Sequence, residues 1–222
     1  MALVTGTTLT TSSSGAGGSS FNTASISPTA NSLVLVATRS NVGTTPNIPT
    51  ITGASMTWVE ITNTLFSSDN GQISLFRSLS SSPGSGALTI DFAGQSQDQI
   101  HWQISEFANV DRSGTNGSGA IVQSTTTTAS SVTTITATLS AFSSVNNATY
   151  GCIGANNTKV FTAGSGFTEL GQNNDNSRSI EAEWKNSNDT SVDWTVGANA
   201  DNFGAIAIEI KNIQVGGFLG IL

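Results

Sequence analysis

Two stretches decide the fold: Asp98-Gln-Ile-His-Trp-Gln-Ile-Ser-Glu106-Phe-Ala-Asn109-Val110 and Asp201-Asn-Phe-Gly-Ala-Ile-Ala-Ile-Glu209-Ile-Lys-Asn212-Ile213. Each runs Asp, an apolar extended segment, then Glu-apolar-x-Asn-apolar. A repeat of this kind implies two similar structural halves. In extended backbone successive side chains alternate faces. Glu106 therefore shares a face with Ile100, Trp102 and Ile104, and Glu209 with Phe203, Ala205 and Ala207.

Working outward, four further matches occur in the same order. Asn31–Ala37 answers Asn147–Ile153, Gly53–Thr57 answers Gly164–Thr168, and Phe76-Arg77 answers Trp184-Lys185. Leu88, Ile90 and Phe92 answer Val192, Trp194 and Val196, each triplet forming one apolar stripe. Alternating runs recur between turn signals such as Asp69-Asn70-Gly71 and Ser82-Pro83-Gly84. Strands are predicted near 32–39, 56–64, 72–80, 86–92 and 99–108, and again near 147–154, 160–169, 179–185, 191–197 and 203–212. Ala2–Thr10 reads as a further strand and Thr11–Ser20 as a flexible loop.

No stretch keeps helical periodicity, so the fold class is all-β. The expected architecture is a jelly-roll-like two-sheet β-sandwich with internal pseudo-twofold duplication. Two tandem sandwiches would also fit. The short connector 111–119, without a Pro-rich or charged linker, and the aliphatic-poor second half favour one sandwich. The expected domain spans 1–213, with a Ser/Thr/Gly-rich arm at 1–20, echoed halves at 20–110 and 118–213, and an apolar tail at 214–222.

Composition narrows the function classes. Ser, Thr, Asn and Gly make up nearly half of the 222 residues, whereas charged residues are 9%, against roughly 25% in average soluble domains. Net charge is −7 and the seven Lys and Arg are scattered. Clustered positive charge for a phosphate backbone or an anionic membrane is missing, so neither nucleic acid nor membrane is an expected partner. Cys152 stands alone and reads as a small core residue. The opening residues carry no secretory signal pattern, and no run reaches the length of a membrane span. The Asn-x-Ser/Thr triplets at Asn116, Asn147, Asn156 and Asn188 are expected from such a composition.

Several residues are of types that carry chemistry. Glu106 and Glu209 resemble a glycosidase pair, which must flank a sugar at roughly 5–10 Å, yet a strand-end carboxylate meeting backbone N–H groups accounts for them better. His101 lies mid-strand beside Trp102 with no nucleophile elbow, and is expected to be half-exposed. The loops Ser68–Gly71 and Asn173–Asn176 lack cation-wrapping spacing and read as turns. No catalytic residue, metal or cofactor is assigned. Of the four tryptophans, Trp58 and Trp102 are the candidates for an exposed glycan-stacking platform. Strands 33–37 and 203–210 are apolar on both faces, which suits a core or a subunit interface. In the tail, Phe218, Leu219, Ile221 and Leu222 are candidate interface anchors.

Ser27-Pro-Thr-Ala-Asn31-Ser-Leu-Val-Leu-Val, Gly53-Ala-Ser-Met-Thr-Trp58, Ser165-Gly-Phe-Thr-Glu-Leu170 and Gly204-Ala-Ile-Ala-Ile-Glu-Ile-Lys211 together resemble β-sandwich structural proteins of tailed bacteriophages. These are virion surface proteins that decorate capsids or belong to tails. The resemblance implies a jelly-roll-like fold, frequent trimerisation and binding to the major capsid protein or other virion subunits. It carries no catalytic residue. The expected role is a non-enzymatic capsid decoration or cement protein, assembled in the host cytoplasm and located on the virion surface. The alternative is a carbohydrate- or receptor-binding module of a phage tail or surface adhesin.

Overall fold

A computed structural model describes residues 2–68, 70–197 and 201–213. The first half contains β1 (Thr5–Ser14), β2 (Ser20–Asn22), β3 (Leu33–Asn41), β4 (Thr50–Gly53), β5 (Val59–Phe66), β6 (Gly71–Leu79), β7 (Leu88–Asp91) and β8 (Gln99–Ala108). The second contains β9 (Ile121–Ser130), β10 (Thr134–Thr138), β11 (Ala148–Ala155), β12 (Phe161–Ala163), β13 (Thr168–Asn173), β14 (Ser179–Lys185), β15 (Ser191–Val196) and β16 (Asn202–Ile210). One short 3-10 turn, Ser118–Ala120, joins them. Among the described residues, all the strand pairings are antiparallel. The chain is all-β, as its periodicity predicts.

The echo is a duplication of topology. The first half forms a five-stranded sheet, β1-β8-β3-β6-β5, and a three-stranded sheet, β2-β7-β4. The second repeats both orders strand for strand, as β9-β16-β11-β14-β13 and β10-β15-β12. This interleaving of sequence-distant strands is jelly-roll-like. The two five-stranded sheets face each other and make a central two-sheet sandwich. A three-stranded sheet then covers the outer side of each, giving four layers and three apolar seams. Edge contacts are reciprocal: β1 lies against β13 and β9 against β5, the pattern a twofold axis between the halves produces.

Seam by seam, strand parity accounts for the packing. Leu33, Leu35 and Ala37 of β3 face Tyr150, Cys152 and Ile206 in the central seam, while Val34 and Val36 face the outer seam with Ile90 and Phe92. On β16, Ile206, Ile208 and Ile210 point to the centre and Phe203, Ala205 and Ala207 outward against Trp194 and Phe161. The two-sided apolar strands are thus covered by their own chain, and their faces are not subunit interfaces. Burying one such aliphatic side chain is worth about 1.5–3 kcal/mol. Gly154 and Gly204 let the central sheets close, because a Cβ there would lie 2.6 Å from Arg39 Cγ or 2.5 Å from Phe66 Cδ1.

The structure amends several sequence expectations. Thr11–Ser14 continue β1, pairing with β8 as far as Ser14↔Ile100. The segment 160–169 is divided between β12 and β13 on different sheets. The register sets Arg77 and Trp184 at equivalent places, opposite Leu35 and Tyr150. Phe76 therefore answers Glu183, one residue off the sequence match. Strands β2, β4, β9 and β10 were not anticipated.

Candidate functional site

The paired glutamates occupy equivalent positions and do equivalent work. Glu106 accepts the backbone N–H of Thr29 at 2.7 Å and its hydroxyl at 2.9 Å. Glu209 accepts the backbone N–H of Ser143 at 3.1 Å and its hydroxyl at 2.9 Å, and adds Asn147 Nδ2 at 2.5 Å and Gln123 Nε2 at 2.7 Å. Each carboxylate ties the loop entering the third strand of its half to the last strand of that half. Both stand on outward faces of the five-stranded sheets, so the central sandwich lies between them. Packed sheets are roughly 10 Å apart, and the two carboxylates cannot flank one sugar.

The remaining polar candidates are interior. His101 is fully buried, correcting the half-exposed expectation, because the second half covers its face of β8. Its Nε2 lies 2.8 Å from Asp175 O, and burial pulls its pKa down to about 4, with Arg39 and Arg178 adding to the shift. Arg39 is also fully buried; it donates to Asn41 Oδ1 at 2.7 Å and Asn156 Oδ1 at 3.1 Å and lies 5.5 Å from the Phe66 ring. Burial lowers its pKa to about 9, with Arg178 contributing and Asp201 opposing. Cys152 is buried and its thiol pKa raised by that burial, so it is a packing residue. In 173–176, Asn173 Oδ1 accepts the Asp175 N–H at 3.4 Å, a turn-forming bond. Asp69 of the other acidic loop lies outside the described residues. Among the described residues, no three His, Cys, Asp or Glu are grouped to hold a metal ion.

A buried acidic pair on β14 was missed in the sequence. Glu181 accepts Trp194 Nε1 at 2.5 Å, and Glu183 accepts Gly164 N at 2.8 Å, both beneath the small sheet of the second half. Burial raises both pKa values, that of Glu183 to about 8, and for each the neighbouring carboxylates push the same way. The Glu-x-Glu spacing was visible; its burial depended on the covering sheet.

The two tryptophan candidates separate. Trp102 is 4% exposed inside the first outer seam, which corrects its assignment to a platform. Trp58 is half-buried, with one side on that seam and its Nε1 donating to Gly53 O at 3.3 Å. It borders a groove of about 340 Å³ between Ile48, Pro49 and Ile51 on one bank and Trp58, Glu60 and Phe76 on the other. Topology creates this mouth. The small sheet ends at β4 while β5 pairs with β6 in the large sheet, so among the described residues no backbone ladder joins β4 to β5. A polar cleft of about 380 Å³ near Phe66, Thr128 and Asn202 lies between the halves at one pole. Phe218, Leu219, Ile221 and Leu222 lie outside the described residues.

The fold and site thus define a duplicated all-β sandwich with an open mouth beside Trp58. No protein-family model, curated protein or solved structure matches the chain.

Proposed function

We propose that the chain is a non-enzymatic structural protein of a virion surface, a capsid decoration or cement protein acting through subunit contacts. The observation that supports this most is where the flanking segments meet. Asn212 Nδ2 donates to Ala2 O at 2.9 Å, Asn109 Nδ2 donates to Leu3 O at 2.9 Å, and Val110 bridges to Asn212. The N-terminal arm, the connector and the last described residues converge at one pole of the four-layer body. The apolar sequence Val215–Leu222 follows from that pole. Attachment there buries apolar area against a neighbour and leaves the sandwich faces displayed. The major capsid protein is the proposed partner, with the chain arranged as a homotrimer. Low charge suits close packing of identical copies, since it limits repulsion between them.

The test is cosedimentation of the purified protein with capsid shells. The full chain is expected to travel with shells, and deletion of 215–222 to weaken that association. A full-length chain that stays at the top of the gradient with shells in excess contradicts the proposal.

A further inference from the structure

The duplication supplies an internal control for the groove beside Trp58. Register makes Glu60 equivalent to Glu169, because they face the equivalent residues Phe76 and Glu183. Both edge strands carry a register shift immediately after that glutamate, between Glu60 and Thr62 and between Glu169 and Gly171. The same alignment sets Trp58 against Phe167 and Asn63 against Gln172.

In the second half the mouth is sealed. Gln172 crosses from β13 to β12, accepting Phe161 N–H at 2.8 Å and donating to Phe161 O at 3.3 Å. Glu183 takes the N–H of Gly164. Lys185 Nζ sits 5.5 Å from the Phe167 ring centroid while paired with Asp189 at 2.8 Å, so a cation occupies the ring. The first half differs at every one of these places. Asn63, one methylene shorter, turns along its own strand and donates to Glu60 Oε1 at 2.7 Å. Phe76 replaces the bonded glutamate as an apolar wall, and Trp58 replaces Phe167 with a larger ring beside the groove. Two copies of one fold have diverged at one place, one toward closure and one toward an open aromatic groove.

We propose that this mouth is a binding site for a neutral saccharide ring. An indole face with its N–H already engaged offers a π surface to sugar C–H groups. The Glu60 carboxylate accepts ring hydroxyls, and its bond to Asn63 fixes its orientation. Ile51 and Phe76 cover the apolar edge of the ring. The wall carboxylate selects against uronic and sialic acids, whose own carboxylate would be repelled. A groove of about 340 Å³ falls at the small end of ligand-sized sites. A terminal or side-branch sugar fits better than a long chain.

The four tryptophan indole N–H resonances provide the readout. Methyl hexopyranosides of glucose, galactose, mannose and N-acetylglucosamine configuration are titrated to ~50 mM, a range suited to millimolar affinity, alongside the methyl glycosides of glucuronic and galacturonic acid with their carboxylates free. The expected result is movement of the Trp58 resonance with at least one neutral hexoside and none with uronates. Asn63→Gln, which supplies the sealing amide of the other half, is expected to weaken the response about tenfold or more. Trp58→Phe removes that resonance, so its binding is read by calorimetric titration, where it too is expected to be weaker. Lack of movement with every neutral hexoside overturns the proposal, as does equal response to uronates. Unchanged binding in a folded Asn63→Gln protein also overturns it.

Discussion

Truncating the two echoed glutamates should have unequal effects, although their positions are equivalent. Glu209 is fully buried and accepts four hydrogen bonds, among them the backbone N–H of Ser143 and the amide of Asn147, itself fully buried. Glu209→Ala strands the fully buried Asn147 amide and takes a partner from the more accessible Gln123 and Ser143 donors, at about 1–3 kcal/mol for a buried group left unsatisfied. With the small cavity added, the expected loss is about 4 kcal/mol, a large share of a total stability of about 5–15 kcal/mol. For a domain of this size that lowers the melting temperature by about 8–16 °C. Glu106 holds only Thr29, through two bonds at an exposed site where water can substitute. Glu106→Ala is expected to lose about 1 kcal/mol. Urea unfolding followed by tryptophan fluorescence measures both, with the slope checked for constancy. Equal losses, or a loss under about 1 kcal/mol for Glu209→Ala, would refute the assignment of these carboxylates as unequal structural ties.

The buried acidic pair predicts the direction of the pH dependence. Glu183 ionises near 4.5 when unfolded and near 8 when folded, chiefly through burial. Its stabilising contribution is complete below about pH 4.5 and is lost as pH rises toward 8. Above about pH 6.5, where the opposing contribution of buried His101 is nearly complete, unfolding free energy should therefore fall by roughly 2 kcal/mol up to pH 8, and Glu183→Gln should flatten the decline; a flat or rising wild-type profile over that range contradicts this. Arg39 is buried on two neutral amide acceptors, so Arg39→Met should change stability by less than about 1 kcal/mol or raise it, whereas a loss above about 3 kcal/mol by thermal unfolding would show the charge to be stabilising. Gly154→Ala drives a Cβ to 2.6 Å from Arg39 Cγ and should destabilise by about 1–3 kcal/mol in the same assay; a neutral result would mean the central sheets are looser than described.

The strands that could be read from the sequence were those whose side chains state their burial. β3, β8 and β16 carry aliphatic rows on at least one parity, and their predicted bounds match closely. β9 gave no such signal, because Gln123, Thr125 and Thr127 form its half-buried row, and its pairing with β16 makes it a strand. The burial of Trp102 is stated only faintly in the sequence, by Ile100 and Ile104 on its row. The small sheet that buries that row, β2-β7-β4, is built from strands of three or four residues, too short to show a period. His101 and Arg39 were hidden for a related reason: only the stacking of one half on the other buries them. Trp58 was visible as a candidate. The sealed counterpart could have been found by extending the echo to Asn63 and Gln172, which requires the register through the bulge.

The central claim is that both halves share one core. Native-state hydrogen exchange across a urea series, read by peptide mass spectrometry, tests it most directly. The account predicts that Leu33–Asn41 of β3 and Ala148–Ala155 of β11, which pack across the central seam, lose protection at the same urea concentration. Separate transitions, with one half still protected after the other has opened, would contradict it.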